Sequence, residues 1–140
     1  MPAGVHRPRG QVSRVYRIGK AFSFEAAHHL PSLPADHKCS RPHGHSYTAE
    51  VIVAAEELTG PGFAADFAVL APLRRYLAGE LDHRDLNEVL GIEPTSENLA
   101  RHLYDWCQRN IPLPGAARVD AVRVSETAAT WAEYRPGALP

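Results

Sequence analysis

The sequence lacks the features that define several large classes of protein. It contains no run of about 18 apolar residues, so a membrane-spanning helix is not expected. Its two cysteines, Cys39 and Cys107, stand far apart without a CxxC pair, which argues against a disulfide framework. The formal net charge is only -1, so we expect no basic surface for nucleic acid or an anionic membrane. This composition favours a small-molecule or protein partner.

The chain is long enough for one domain with its own core. Residues 1–13 are rich in proline, glycine and arginine and lack apolar periodicity, which predicts a flexible N-terminal arm. We expect residues 14–140 to form a single domain. The first residues hold no apolar stretch that could serve as the core of a signal peptide, so the cytoplasm is the expected location.

Two segments alternate apolar and polar residues with the period of a half-buried strand. The even positions from residue 16 lead to His28, and the odd positions from His43 to Val53 share one face of a second segment. The loop between them, residues 31–42, contains three prolines. We therefore expect two antiparallel strands paired across this loop.

Two helices are expected after these strands. Asp66 is placed to cap the first, and Pro72 is expected to delay its start or to kink it. Thr95 or Ser96 caps the second, which carries apolar residues on one side.

The last two segments, 119–125 and 130–135, read as a β-hairpin around a short polar turn. The predicted fold is therefore α+β, a four-stranded antiparallel sheet with two helices on one face, in the order ββααββ. Such a sheet has two open edges, which favours a homo-oligomer.

Three histidines are candidate metal ligands. His43 and His45 point to the same side of a strand, and His28 lies at the end of the neighbouring strand, where pairing would bring it alongside them. Three neutral imidazoles with a fourth position open are typical of a catalytic zinc site. The alternative is a set of hydrogen-bonded polar residues, since most isolated HxH pairs bind no metal. The segment also fits the HxH(x)4E ligand pattern of cupins, but Glu50 falls on the opposite face of the strand.

A thiol and an acid–imidazole pair could supply proton transfer. Cys39 lies between Lys38 and Arg41, and positive neighbours favour the reactive thiolate, although a lone cysteine is more often a small buried apolar residue. Asp82 and His83 follow the first helix and could act as an oriented base. Their alternative role is to complement the dipole at a helix end.

Glu126 ends the third main strand, in the segment RVSET. A carboxylate at this point can bind an amidine-like edge, such as that of a pterin or guanine ring, through two parallel hydrogen bonds. Most such glutamates are simply solvated.

Taken together, these motifs resemble those of one known family. The segments FSFEAAHHLPSLPADHKCSRPHGHSYTAEV, LDHRDLN, PTSENLA and VSETAATWAEY are similar to the 6-pyruvoyl-tetrahydropterin synthase / 6-carboxy-tetrahydropterin synthase family, over about residues 15–135. The resemblance implies the tunnelling fold (T-fold), in which subunits close into a trimeric barrel and two trimers stack as a hexamer. It also implies active sites between subunits.

The resemblance further implies roles for the residues at matching motif positions. These are the zinc ligands His28, His43 and His45, the catalytic Cys39, Asp82 and His83, and the pterin-anchoring Glu126.

The spacing CSRPHGH is the compact form of the bacterial queuosine-pathway branch. The activity implied is a zinc-dependent 6-carboxy-5,6,7,8-tetrahydropterin synthase, a lyase that acts on 7,8-dihydroneopterin triphosphate. One alternative is 6-pyruvoyl-tetrahydropterin synthase, which eliminates triphosphate and retains the three-carbon side chain. Another is a zinc-binding module without catalysis.

Overall fold

A computed structural model describes residues 14–137 of the chain. The predicted arm at residues 1–13 lies outside the described residues, as do residues 138–140, so the boundary after residue 13 stays a prediction. Within the described part, no helix combines the length and the apolar character needed to cross a membrane.

The described chain contains five strands and three α-helices, with further helical turns beside them. In chain order they are β1 (Tyr16–His28), β2 (His43–Ala55), α1 (Ala71–Tyr76), β3 (Arg84–Asp85), α2 (Leu86–Val89), α3 (Ser96–Asn110), β4 (Arg118–Thr127) and β5 (Thr130–Tyr134). A 3-10 turn, Lys38–Ser40, lies in the loop between β1 and β2.

These strands form one sheet in the order β3-β1-β2-β4-β5. β1 and β2 pair antiparallel along their whole length, and β4 and β5 form the expected hairpin. The predicted α+β class is confirmed, but the sheet has one strand more than the four expected. The extra strand, β3, has only two residues and runs parallel to β1 at Ala26 and Ala27. A strand of two residues is too short to leave a periodic pattern in the sequence.

The apolar core lies between one face of this sheet and the helices. The even positions of β1 and the odd positions of β2 point into it, so that Phe24 is 2% exposed and Tyr47 is 0% exposed. From the helix side, Leu99 and Leu103 of α3 are fully buried in the same cluster. Each buried side chain of this size contributes about 1.5–3 kcal/mol to folding. Because a change of register would expose these side chains, the core holds β1 and β2 in one register.

The helical segment before β3 changes geometry along its length. Asp66 caps it by accepting a hydrogen bond from the Ala68 amide at 2.9 Å, as expected. The segment opens as a 3-10 turn, and Pro72 falls in the first turn of α1, where a missing N–H costs little. It closes as a π-helical turn, Leu77–Leu81, which is a feature common near functional sites.

The chain reverses direction directly after this π-helical turn. Asp82 is extended, and His83 has a φ of 59°, in the left-handed region that non-glycine residues rarely adopt. The His83 amide then donates to the Glu25 carbonyl of β1. The turn thereby carries the Asp82–His83 pair to the edge of the sheet.

Candidate metal centre and active site

Three imidazoles come together at the end of the β1–β2 pair. The strand register sets His28 opposite His43 and Ala26 opposite His45. Because side chains alternate along a strand, all three histidines face the core side. One nitrogen from each lies within 4.8 Å of the other two. His28 is 1% exposed while His43 and His45 are half-buried, so the cluster is closed on one side and reaches the surface on the other.

Backbone carbonyls determine which nitrogen two of these rings present. His28 Nδ1 lies 2.7 Å from the Pro94 carbonyl oxygen, and His43 Nδ1 lies 2.7 Å from the Arg41 carbonyl oxygen. A carbonyl only accepts, so each Nδ1 carries the hydrogen and donates it. The Nε2 of each neutral ring therefore keeps its lone pair. This is the arrangement in which outer groups orient histidines that bind a metal.

The donor set fits a zinc ion. His28 Nε2 and His45 Nε2 lie 3.1 Å apart, and tetrahedral ligands roughly 2.0–2.1 Å from zinc are separated by roughly 3.3–3.4 Å. Burial lowers the pKa of His45 below its ordinary value, although the Glu126 carboxylate acts in the opposite direction. The neutral form that ligates a metal is thus favoured. Three nitrogen donors leave a fourth coordination position for water or substrate.

Glu126 borders the histidine cluster. Its Oε2 lies 3.3 Å from His45 Nε2, and its Oε1 accepts a 2.7 Å hydrogen bond from Ser96 Oγ. Its side chain is 27% exposed and lines a groove of about 200 Å³ together with Ser96 and Trp131. The carboxylate therefore retains lone pairs that a ligand in the groove can reach.

Asp82 and His83 form a second cluster at the β3 edge of the sheet. Asp82 Oδ2 lies 2.9 Å from His83 Nδ1, and Asp82 Oδ1 accepts from the Glu25 amide at 2.8 Å. The Glu25 hydrogen bond, followed by the bond with His83, lowers the pKa of Asp82 below its ordinary value. The carboxylate stays ionised and orients the imidazole, whose side chain is 78% exposed. His83 also lines a groove of about 510 Å³ along this edge.

Cys39 lies in the 3-10 turn between the two long strands and is half-buried. His37 caps this turn, because its Nδ1 accepts a 3.0 Å hydrogen bond from the Cys39 amide. The Cys39 carbonyl in turn accepts from the Leu30 amide at 2.8 Å. The backbone of the thiol is thus fixed just before β2 begins. Cys107 differs, because burial in α3 raises the pKa of its thiol to about 12 and leaves it unreactive.

The structure places the seven predicted site residues in three groups. They are the cluster of His28, His43, His45 and Glu126, the pair of Asp82 and His83, and Cys39 in its turn. Sequence reasoning missed the Pro94 and Arg41 carbonyls, since a carbonyl leaves no signal in residue type. It treated Ser96 only as an alternative helix cap, whereas Thr95 is the cap and Ser96 bonds to Glu126.

Fold and site together define a class of protein. It is a T-fold protein with a candidate three-histidine metal centre beside a carboxylate-lined groove. The chain belongs to the 6-pyruvoyl tetrahydropterin synthase family, whose model matches residues 17–137. It is accordingly an enzyme of the lyase class, as the family resemblance implied.

Individual relatives agree with this assignment. The chain is 42% identical over 123 residues to a 6-carboxy-5,6,7,8-tetrahydropterin synthase from Synechocystis sp., covering 84% of this chain and 91% of the relative. It is 33% identical over 137 residues to the protein of the same name from Bacillus subtilis, covering 92% and 91%. The structure of Caenorhabditis elegans 6-pyruvoyl tetrahydropterin synthase superposes with a TM-score of 0.75 at 24% identity, over 89% of this chain and 97% of that one. This structural similarity supports the fold assignment only.

Removal of two imidazoles tests the metal centre. We expect the wild type to retain about one zinc per chain after gel filtration and the His43→Ala/His45→Ala variant to retain none, because one nitrogen cannot hold the ion. His102→Ala is the matched control, since His102 bonds to Tyr76 outside the cluster. Elemental analysis by mass spectrometry gives the stoichiometry. Full zinc content in the double variant would contradict the assignment.

Proposed function

We propose that the chain is a zinc-dependent 6-carboxy-5,6,7,8-tetrahydropterin synthase. It converts 7,8-dihydroneopterin triphosphate and one water molecule to 6-carboxytetrahydropterin, acetaldehyde and triphosphate, in the biosynthesis of queuosine and other 7-deazapurines. The observation that carries this proposal is the convergence of three imidazoles beside the Glu126 carboxylate. The names of the Synechocystis and Bacillus subtilis relatives support the choice of product.

Glu126 binds the pterin ring in this proposal. The ring presents an N–H and an amino group on one edge, which match the two oxygens of a carboxylate. Fixing the ring in the groove holds the side chain of the substrate near the histidines and turns a diffusive encounter into a positioned one. Zinc held by His28, His43 and His45 supplies Lewis-acid stabilisation of negative charge that develops on the side-chain oxygens.

Cys39 and His83 transfer protons in this proposal. Cys39 removes a proton from the substrate side chain, and His83 supplies or accepts protons as the carbon–carbon bond breaks. The Nδ1–H of His83 is held by the Asp82 carboxylate, so its Nε2 is free for this exchange. The exposed ring of His83 lines the groove at the β3 edge, and His45 of the three-histidine cluster lines the same groove.

We propose that a neighbouring subunit completes the site. Cys39 lies in the turn before β2, whereas His83 lies at the β3 edge of the sheet, and within residues 14–137 the outer strands β3 and β5 each pair with one strand only. Pairing of such edges between copies closes a barrel and brings different loops together. A trimer, or two stacked trimers, with active sites between subunits fits this arrangement.

Two other functions are alternatives to the carboxytetrahydropterin synthase activity. 6-Pyruvoyl-tetrahydropterin synthase uses the same groups and is the description of the family model and of the Caenorhabditis elegans structure. A zinc-binding module without catalysis would explain the histidines but leaves the oriented Asp82–His83 pair without a role.

Product analysis separates these functions. We expect zinc-loaded protein incubated with 7,8-dihydroneopterin triphosphate to yield 6-carboxytetrahydropterin and acetaldehyde in equal amounts, identified by mass spectrometry. Cys39→Ala is expected to keep zinc and lose turnover, because it removes the base and no ligand. A pyruvoyl product without acetaldehyde would establish the first alternative, and no turnover by well-folded, zinc-loaded protein would favour the second.

Subunit mixing tests the shared site. Cys39→Ala and His83→Ala oligomers are each expected to be inactive. After random exchange of subunits in equal amounts, about a quarter of sites combine an intact cysteine from one chain with an intact histidine from its neighbour. Activity should therefore return to about a quarter of the wild-type value. If native mass spectrometry shows mixed oligomers and activity stays absent, the two groups act within one chain.

A further inference from the structure

Of the two carboxylate oxygens of the proposed ring anchor, Oε1 has a hydrogen-bond donor, whereas Oε2 lies beside the His45 nitrogen that is assigned to the metal. Oε2 of Glu126 lies 3.3 Å from His45 Nε2, whereas Oε1 accepts a 2.7 Å hydrogen bond from Ser96 Oγ. Ser96 and Glu126 are 30 residues apart in sequence, and this bond ties the start of α3 to the end of β4. Ser96 lines the same groove of about 200 Å³ as the carboxylate.

The Ser96 hydroxyl is not needed to begin its helix. Thr95 is the N-cap residue, and its side chain accepts the hydrogen bond from the Asn98 amide at 3.1 Å. Ser96 is the first residue of α3, so its side chain is free to bond elsewhere. It donates to the Glu126 carboxylate.

An unrestrained glutamate carboxylate rotates readily, since the torsion about its last carbon–carbon bond is broad. Recognition of a ring edge by two parallel hydrogen bonds requires both oxygens to lie in the plane of that edge. A donor fixed on Oε1 restricts this rotation and lowers the cost of ordering the side chain when the ring binds. Building on the proposed function, we propose that Ser96 is the positioning residue that sets the Glu126 carboxylate for the pterin ring.

This role predicts a specific pattern of binding. Ser96→Ala should weaken binding of pterin to the zinc-loaded protein about five- to tenfold, because the carboxylate loses a charge-assisted hydrogen bond. It should raise KM by a similar factor and change kcat by less than about twofold, the signature of lost ground-state binding. Ser96→Thr keeps the hydroxyl and should restore affinity. Ser96→Cys, with a weak thiol donor, should resemble Ser96→Ala.

Thr95→Ala is the matched control. It removes the helix cap at the adjacent position, which lowers the stability of the helix, and leaves the Ser96 to Glu126 bond in place. A loss of pterin affinity in Ser96→Ala but not in Thr95→Ala therefore points to the hydroxyl. Equal losses in both variants would mean that the start of the helix matters only as a structural element, and the proposal would be wrong.

A double-mutant cycle gives the decisive measurement. Pterin affinity is measured by titration calorimetry for the wild type, Ser96→Ala, Glu126→Ala and the double variant. If Ser96 acts through Glu126, the second substitution has no further effect in the Glu126→Ala background. Additive losses would overturn the positioning role.

The cycle also separates this inference from the proposed function. If Glu126→Ala leaves pterin affinity unchanged, the ring anchor itself is wrong and Ser96 loses its role with it. If Glu126→Ala weakens binding and Ser96→Ala does not, the anchor stands and the positioning role alone is rejected.

Discussion

The antiparallel register of β1 and β2 is the constraint on which the candidate site depends. Phe24 stacks on Tyr47 within the core, with ring centroids 5.0 Å apart, and this register sets His28 opposite His43 at the end of the same ladder. A slip by one residue would turn every side chain of β2 to the other face of the sheet. The burial that stabilises the strands therefore also keeps the imidazoles together, because misplacing the histidines would expose the buried aromatic and valine side chains.

The start of α3 links the two halves of the site. The Pro94 carbonyl orients His28, and two residues later the Ser96 hydroxyl holds Glu126. Thr95, between them, caps the helix by accepting a hydrogen bond from the Asn98 amide. This short segment thus contacts both the candidate metal centre and the Glu126 carboxylate.

Sequence patterns predicted the parts of this molecule that depend on local periodicity and on capping. The alternation leading to His28, the cap at Asp66 and a cap at Thr95 or Ser96, which the structure assigns to Thr95, follow from rules that act over a few residues. Features that depend on tertiary contact were not predictable in this way, including strand β3, the π-helical turn and the carbonyl partners of the histidines. Residue type and strand position had already marked the site residues as candidates, and the family resemblance supplied the pterin as the ligand, because an isolated histidine or glutamate does not identify its substrate.

The proposed catalytic function depends most on a metal centre of three histidine nitrogens with one coordination position open. X-ray absorption at the zinc edge of the loaded protein measures the ligands directly. We expect three imidazole nitrogens at roughly 2.0–2.1 Å from the zinc and one exchangeable oxygen. Replacement of the histidines should remove the bound zinc and, with it, the imidazole contribution to the spectrum. A sulfur ligand at about 2.3 Å, or four protein ligands that enclose the ion, would contradict an open catalytic centre with Cys39 acting as a base.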